Sequence, residues 1–151
     1  WKPLFDRFGI HIDFAYRTFR WDSEADIKAH VHCVIIGFSV SGNNHNQFYR
    51  EANKDGFFSY EMKTDSEADV RLMVRYWGAE YGGRKFDIYI DDEKLLTEDN
   101  TGRWNQSTFH EVEYEIPSRM VEGKEKIRVK FQSLPGNTAG AVYFIRLLKQ
   151  N

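Results

Sequence analysis

The sequence predicts an all-β fold: an antiparallel β-sandwich of jelly-roll type with an added N-terminal strand pair. Short segments in which apolar and polar residues alternate recur along the chain, as in Val70–Trp77 and Phe86–Ile90. This alternation is typical of strands with one buried face. Turn-forming residues separate the segments, and no long amphipathic helical pattern lies between them, which favours antiparallel sheets. Aromatic residues form 16% of the chain, and they suit pleated surfaces.

The first forty residues contain two predicted strands. Ile10–Trp21 begins with alternating apolar residues, and Val31–Val40 is the most apolar run of the chain. A lone strand pair is marginally stable in water, so we expect it to dock on the sandwich or on a partner. The "SGNNHNQ" segment (residues 41–47) predicts a turn or linker. We therefore divide the chain into an N-terminal strand pair (1–42) and a sandwich domain (43–151).

The remaining sequence predicts a series of short strands separated by turns. Pro117 ends one of these strands, and the "SRMVEGK" segment that follows predicts a single helical turn closed by Gly123. The "DDEK" segment that begins at Asp91 predicts a tight turn between two strands. The predicted strands of the sandwich are 57–63, 68–77, 86–90, 95–97, 112–116, 127–131 and 141–148.

Composition excludes several classes of protein. The 151 residues suffice for one domain with a core, or for one domain with a short appendage. The net charge of −2 lacks the basic excess of a nucleic-acid binder, so a nucleic-acid partner is not expected. No run approaches the ~18 apolar residues of a membrane span, and no signal-peptide pattern is visible. The single Cys33 excludes an internal disulfide.

Residues 46–149 carry an ordered series of motifs: "YREA", "GFFSYEM", "YWG", "FDIYIDDEKL", "VEGKEKIRVKFQ" and "PGNTAGAVYFIRLL". The series resembles the C-terminal β-sandwich domain of glycoside hydrolase family 127, the β-L-arabinofuranosidase-like proteins. Catalysis in that family is placed in a separate helical barrel, with a cysteine nucleophile beside a zinc ion held by further cysteines and a glutamate. Because this chain has one cysteine, the resemblance implies a non-catalytic accessory domain. Its partners would be a catalytic glycosidase module or an oligosaccharide, in the periplasm or outside the cell.

The first forty residues resemble a different family. The segments "FAYRTFRWDSEA" and "KAHVHCVIIGFS" are similar to a late strand pair of adenine-type DNA methyltransferases of restriction–modification systems. That family's Gly-rich cofactor loop and Asn-Pro-Pro-aromatic motif are absent here, so none of its functional residues can be carried over and no cofactor is expected. Two alternatives follow: a fragment associated with such a methyltransferase, or a structural interaction domain whose Ile10–Phe14 strand joins copies into a homo-oligomer.

Five residues are candidates for a sugar-binding site. Trp77, Tyr81 and Arg84 flank the "WGAEYGGR" turn, Trp104 lies in a long polar loop, and Asn137 lies in "PGNTAG". Exposed rings stack on sugars while neighbouring polar groups bond the hydroxyls. In the structural alternative, the tryptophans cover the core and the remaining residues only shape turns.

No metal site and no catalytic set is predicted. His30 and His32 would share one face of a strand, but two ligands make a weak zinc site. Acidic loops at Asp91–Asp92 and 98–100 offer oxygens to calcium, but solvated hairpin ends are the favoured explanation. No nucleophilic triad, phosphate loop or metalloprotease helix is present, and sequence alone cannot pair carboxylates across a sugar.

Overall fold

A computed structural model describes residues 32–36, 39–66 and 69–150 of the chain. The described residues form antiparallel β-strands and one short 3₁₀ turn at Ser118–Met120, which confirms the predicted all-β class. The strands are β1 (His32–Ile36), β2 (Ser39–Asn44), β3 (Gln47–Ala52), β4 (Phe57–Lys63), β5 (Val70–Trp77), β6 (Lys85–Ile90), β7 (Glu93–Asp99), β8 (Phe109–Glu115), β9 (Lys126–Ser133), β10 (Ala139–Val142) and β11 (Phe144–Lys149).

The strands are arranged in two layers. One layer is a five-stranded sheet in the order β1-β4-β9-β6-β7. The other combines two three-stranded sheets, β10-β3-β2 and β11-β5-β8. These meet at Tyr143, which lies between β10 and β11 and whose N–H donates to the carbonyl of Arg75 at 3.0 Å. Along the C-terminal part of the chain, β10 pairs with β3 and β11 then pairs with β5.

The core lies between the layers and is rich in aromatic side chains. Phe58 and Phe131 stack with ring centroids 5.1 Å apart, and both side chains are fully buried. Strand β9 illustrates how the sequence builds this core, because Ile127 and Val129 are buried while Lys126 is exposed. Burial of such apolar surface contributes about 25 cal/mol per Å², so the alternation in the sequence fixes which face of each strand is buried.

The segment 41–47 contains a turn, the first of the two predicted alternatives, and is not a linker. It completes β2 and begins β3, and only His45 and Asn46 form the turn, with φ of 49° and 60°. Two successive residues with positive φ are typical of the turn that closes a two-residue hairpin. The division at residues 42 and 43 therefore falls inside β2, and the domain division itself stays a prediction.

Two other predicted strands differ from the structure. The run at 31–40 is divided, because β1 pairs with β4 in one layer while β2 pairs with β3 in the other. The two strands therefore belong to different layers, although the run looks continuous in sequence. The final strand is likewise divided at Tyr143. The predicted strand Ile10–Trp21, and with it the proposed oligomer contact, lies outside the described residues.

The two ends of the sandwich differ in structure. The loops 78–84, 100–108 and 134–138 lie together at one end, which we call the loop end. At the other end, the turn end, β1 begins and β11 finishes. There Lys149 forms an ion pair with Asp65 at 2.8 Å. No helix among the described residues has the length and apolar character needed to cross a membrane.

Candidate functional site

Arg84 organises the loop end. Its guanidinium forms ion pairs with Glu51 at 2.8 Å and with Glu80 at 2.9 Å, and its side chain is only 12% exposed. It also donates to the carbonyls of Tyr81 at 3.1 Å and Gly140 at 3.3 Å. Burial raises the pKa of the Glu80 carboxyl above its usual value; Arg84 opposes that rise and Glu51 adds to it. Arg84 therefore fastens the 78–84 loop to β3 and β10.

Backbone hydrogen bonds join the three loops into one surface. The N–H of Thr138 donates to the Gly83 carbonyl at 3.0 Å, and the N–H of Lys85 donates to Oδ1 of Asn137 at 3.2 Å. On the other side, the N–H of Arg84 donates to Oγ1 of Thr101 at 2.8 Å. Loops held to a rigid scaffold in this way are common positions for binding residues.

Tyr81 is the exposed ring of the loop end. The residue is 88% exposed, the largest value among the exposed large hydrophobic residues of the described part of the chain. Gly82 follows with φ of +78°, a conformation that glycine adopts without steric cost. An aromatic ring held out on a fixed loop can stack on the apolar face of a sugar.

Trp104 and Trp77 are held by neighbouring rings. Trp104 stacks on His110 with centroids 4.5 Å apart, and the guanidinium carbon of Arg103 lies 4.6 Å from its ring. Trp77 stacks on His45 at 4.4 Å and meets Phe109 edge-on at 4.9 Å. Both tryptophans are half-buried. Part of each ring therefore packs against the protein, and the remaining part is open to contact with a ligand.

A buried polar network lies next to Trp104, and sequence reasoning missed it. The hydroxyls of Tyr76 and Tyr114 are 3.0 Å apart, and Tyr114 donates to the Glu98 carboxylate. Glu98 in turn pairs with Arg103 at 3.1 Å, and Arg103 donates to the side chain of Asn100. Burial raises the pKa of both tyrosines far above the usual value. Alternation places both tyrosines inside, but no sequence signal shows that their hydroxyls meet.

The five predicted sugar-binding residues all lie at or next to the loop end. Tyr81, Arg84 and Asn137 belong to two loops bonded to each other. Trp104 lies in the third loop, and Trp77 ends β5 where the first loop begins. Their environments differ: Tyr81 is open to solvent, whereas Arg84 is enclosed by ion pairs.

The acidic loops are engaged in contacts of their own. Asp91 accepts from Lys124 at 3.0 Å and from the N–H of Arg128 at 2.8 Å. Glu98 is occupied by Tyr114 and Arg103. Across the residues that the structure describes, no group of three or more His, Cys, Asp or Glu side chains is placed to hold a metal ion.

The fold is that of carbohydrate-binding modules of family 35. A family 35 module from Clostridium thermocellum matches with a TM-score of 0.54 and 11% identity, over 78% of this chain and 92% of that one. The family 35 module of Abf62 from Cellvibrio japonicus matches with a TM-score of 0.52 and 16% identity, over 79% and 86%. A third, Xyl-CBM35 in complex with a glucuronic acid containing disaccharide, gives 0.50 and 14% over 78% and 86%. The predicted jelly-roll sandwich is thereby confirmed.

At the level of sequence, residues 31–148 match the model of a family of unknown function, DUF6805, and the chain belongs to this family. The match begins at the first described strand and ends within the last. An association with glycoside hydrolases therefore stays a proposal.

The N-terminal segment matches a second family. Residues 1–50 match the DNA-methyltransferase domain of MmeI. DNA methyltransferase A of Bacillus subtilis (strain 168) is 42% identical over 48 residues, which is 32% of this chain and 5% of that protein. The predicted resemblance of the N-terminal segment to a DNA methyltransferase is thus found, over a small part of that relative's length.

Proposed function

We propose that this protein is a non-catalytic accessory domain of a glycoside hydrolase that binds an oligosaccharide at the loop end. The observation that carries the proposal is Tyr81, an aromatic residue that is 88% exposed and lies on loops joined to one another by hydrogen bonds. The fold of carbohydrate-binding modules supports it, and so does the resemblance to the accessory domain of family 127.

In this proposal the five residues have different roles. Tyr81 stacks on the sugar. Asn137 contributes the hydrogen-bonding capacity that its amide keeps beyond its bonds to the N–H of Lys85 and the carbonyl of Pro135. Arg84 fixes the position of the loop that carries Tyr81, because it donates a hydrogen bond to the Tyr81 carbonyl. Trp77 and Trp104 border the site as half-buried walls. A single stacking ring supports a millimolar dissociation constant, roughly −4 kcal/mol.

A glycan array that includes arabinose-containing and pectic oligosaccharides tests the proposal. We expect retention of one glycan class, and Tyr81→Ala should weaken it at least tenfold. Phe48→Ala is the matched control, because Phe48 is 50% exposed but lies on β3, outside the three loops. Equal retention by the wild-type protein and Tyr81→Ala would reject the site, and a blank array would leave only a packing role beside a catalytic module.

A second candidate function follows from the N-terminal match. Residues 1–50 match a DNA-methyltransferase domain, which favours a fragment associated with DNA modification. This candidate predicts binding of a DNA duplex with a steep salt dependence. A mobility-shift assay at low salt tests it, and the absence of any shifted duplex would reject it.

A further inference from the structure

The outer face of the five-stranded sheet carries a row of positive charge along its central strand. Lys126, Arg128 and Lys130 alternate on β9 with side chains that are buried in the core. Alternate residues of a strand are about 6.7 Å apart on one face. Because β9 lies third in the order β1-β4-β9-β6-β7, the row runs along the middle of the sheet.

Lys130 lies between two aromatic rings. Its ammonium is 4.5 Å from the ring centroid of Tyr89 on β6 and 5.3 Å from that of Phe57 on β4. Within the described part of the chain, no carboxylate forms an ion pair with Lys130. Cation–π contacts at exposed sites stabilise by only about 0.5–1 kcal/mol, so they leave the charge available to an anion.

The sheet also keeps a pairing that opposes its own stability. Lys63 of β4 lies directly opposite Lys126 of β9 in the strand register. Like charges in directly opposed positions destabilise a sheet. Glu61 relieves Lys126 through a 2.9 Å ion pair, but it does not remove the local excess of positive charge.

The carboxylates of this face are already occupied. Asp87 is 10% exposed as a side chain, and it accepts from Thr97 and Tyr89 while Lys94 lies 3.8 Å away. Glu61 is bound to Lys126. A third carboxylate, Asp99, lies opposite Lys85 in the register and accepts from the N–H of Thr101 at 3.0 Å. The face therefore presents six cations beside three engaged carboxylates; the cations are Lys63, Lys85, Lys94, Lys126, Arg128 and Lys130.

We propose that this face binds an anionic polysaccharide, with sugar carboxylates on Arg128 and Lys130 and sugar rings against Tyr89 and Phe57. The proposal rests on the proposed function for its class of ligand but uses a different surface. A saccharide fits better than a DNA duplex, because Lys94 and Lys126 already lie beside carboxylates. The four remaining cations fall below the roughly 6–10 phosphate contacts of a duplex binder. The two flanking rings supply the apolar contact that sugars need.

Titration calorimetry of the whole chain with oligogalacturonate and with its methyl ester, which lacks the charge, tests the proposal. We expect the acid form to bind and the ester to bind at least tenfold more weakly. The double variant Arg128→Gln, Lys130→Gln should lose at least tenfold for the acid form. Arg71→Gln, which removes one charge from the outer face of the other layer, should keep wild-type affinity. Thermal melts would verify that all variants fold.

The outcomes separate this proposal from the loop-end site. Equal binding of acid and ester, with loss only in Tyr81→Ala, would overturn the sheet-face proposal and leave the loop-end site standing. Loss in the Arg128 and Lys130 variant but not in Tyr81→Ala would support the sheet face and reject Tyr81. Tighter binding of a duplex oligonucleotide than of oligogalacturonate would overturn the proposal, as would a lack of binding by either saccharide.

Discussion

Three buried or nearly buried tyrosines show how this sandwich places polar atoms inside. Tyr76 and Tyr114 share a hydrogen bond, and the hydroxyl of Tyr143 accepts from the amide of Asn44 at 3.1 Å. Each hydroxyl thus has a partner, as buried polar groups require. The rings fill the core while the hydroxyls tie strands that are distant in sequence.

Removing one hydroxyl should show how much the hydrogen bonds among Tyr76, Tyr114 and Glu98 contribute to stability. Tyr114→Phe removes the hydrogen-bond partner of the Tyr76 hydroxyl and one of the partners of the Glu98 carboxylate, which keeps its ion pair with Arg103. We expect a loss of about 1–3 kcal/mol in the free energy of unfolding. Tyr81→Phe, at an exposed position, should change it by less than about 0.5 kcal/mol. Urea denaturation of the three proteins measures this, and equal midpoints would show that the network contributes no stability.

Tyr143 gives the protein a stability that depends on alkaline pH. Burial raises the pKa of Tyr143 to about 12, whereas an unfolded tyrosine ionises near ~10. Between these values the unfolded state has lost the proton that the native state still keeps, so the contribution of Tyr143 is full below pH 10 and falls as the pH rises toward 12. The destabilisation caused by Tyr143→Phe should therefore shrink between pH 9 and pH 11.5. A penalty that stays constant in denaturation curves would contradict this.

Sequence patterns at this scale show which residues are candidates but not what surrounds them. Tyr81 and Trp104 both lie in polar loops, yet Tyr81 is open while Trp104 stacks on His110, six residues further along. The difference arises from the path of the 100–108 loop, which bends back onto β8. No local pattern of residue types encodes such a path.

At the scale of strands, alternation is a reliable guide where one face is buried. The predicted strands 57–63 and 86–90 agree closely with β4 and β6. The β2–β3 hairpin was missed because its residues, "SVSGNN" and "QFYREA", are too polar to show a buried face. Such strands are held by their neighbours' backbones, which a single sequence does not display.

Gly140 determines how closely β10 approaches β3. Its φ is +96°, and a Cβ placed there would lie 2.9 Å from the carbonyl oxygen of Arg50. We expect Gly140→Ala to cost about 2–4 kcal/mol, since backbone strain and overpacking add together. Gly82→Ala is the control, because its φ is also positive but nothing lies within 4 Å, so its cost should be about 1 kcal/mol. Similar thermal midpoints for the two variants would show that the close contact between position 140 and the Arg50 carbonyl does not add to the cost.

Arg84 joins elements that lie far apart in sequence, since Glu51 is on β3 and Gly140 on β10. Arg84→Gln would leave Glu51 and Glu80 as neighbouring, partly buried carboxylates, and we expect a loss of about 3 kcal/mol. Arg71→Gln removes only exposed ion pairs and should cost less than about 1 kcal/mol. Chemical denaturation at pH 7 compares the free energies of unfolding of the two variants. Equal losses would mean that the buried ion pairs of Arg84 do not contribute more stability than exposed ones.

For the whole molecule, the two layers between β1 and β11 enclose one continuous core, and the family match covers the same span. We therefore expect residues 31–151 expressed alone to unfold in a single cooperative transition, within a few degrees of the full chain. Circular dichroism melts of both proteins measure it. A truncated chain without a cooperative transition would show that the first thirty residues complete the fold.

The strands β1 and β11 also set the orientation of the domain in any longer polypeptide. His32 pairs with Glu61 and Lys149 reaches Asp65, so both attachment points lie on the side of the sandwich away from Tyr81. A covalent linkage at either strand would leave Tyr81 facing away from the linked protein. Joined to a host protein through these strands, the domain would project with its loop end as the outermost surface.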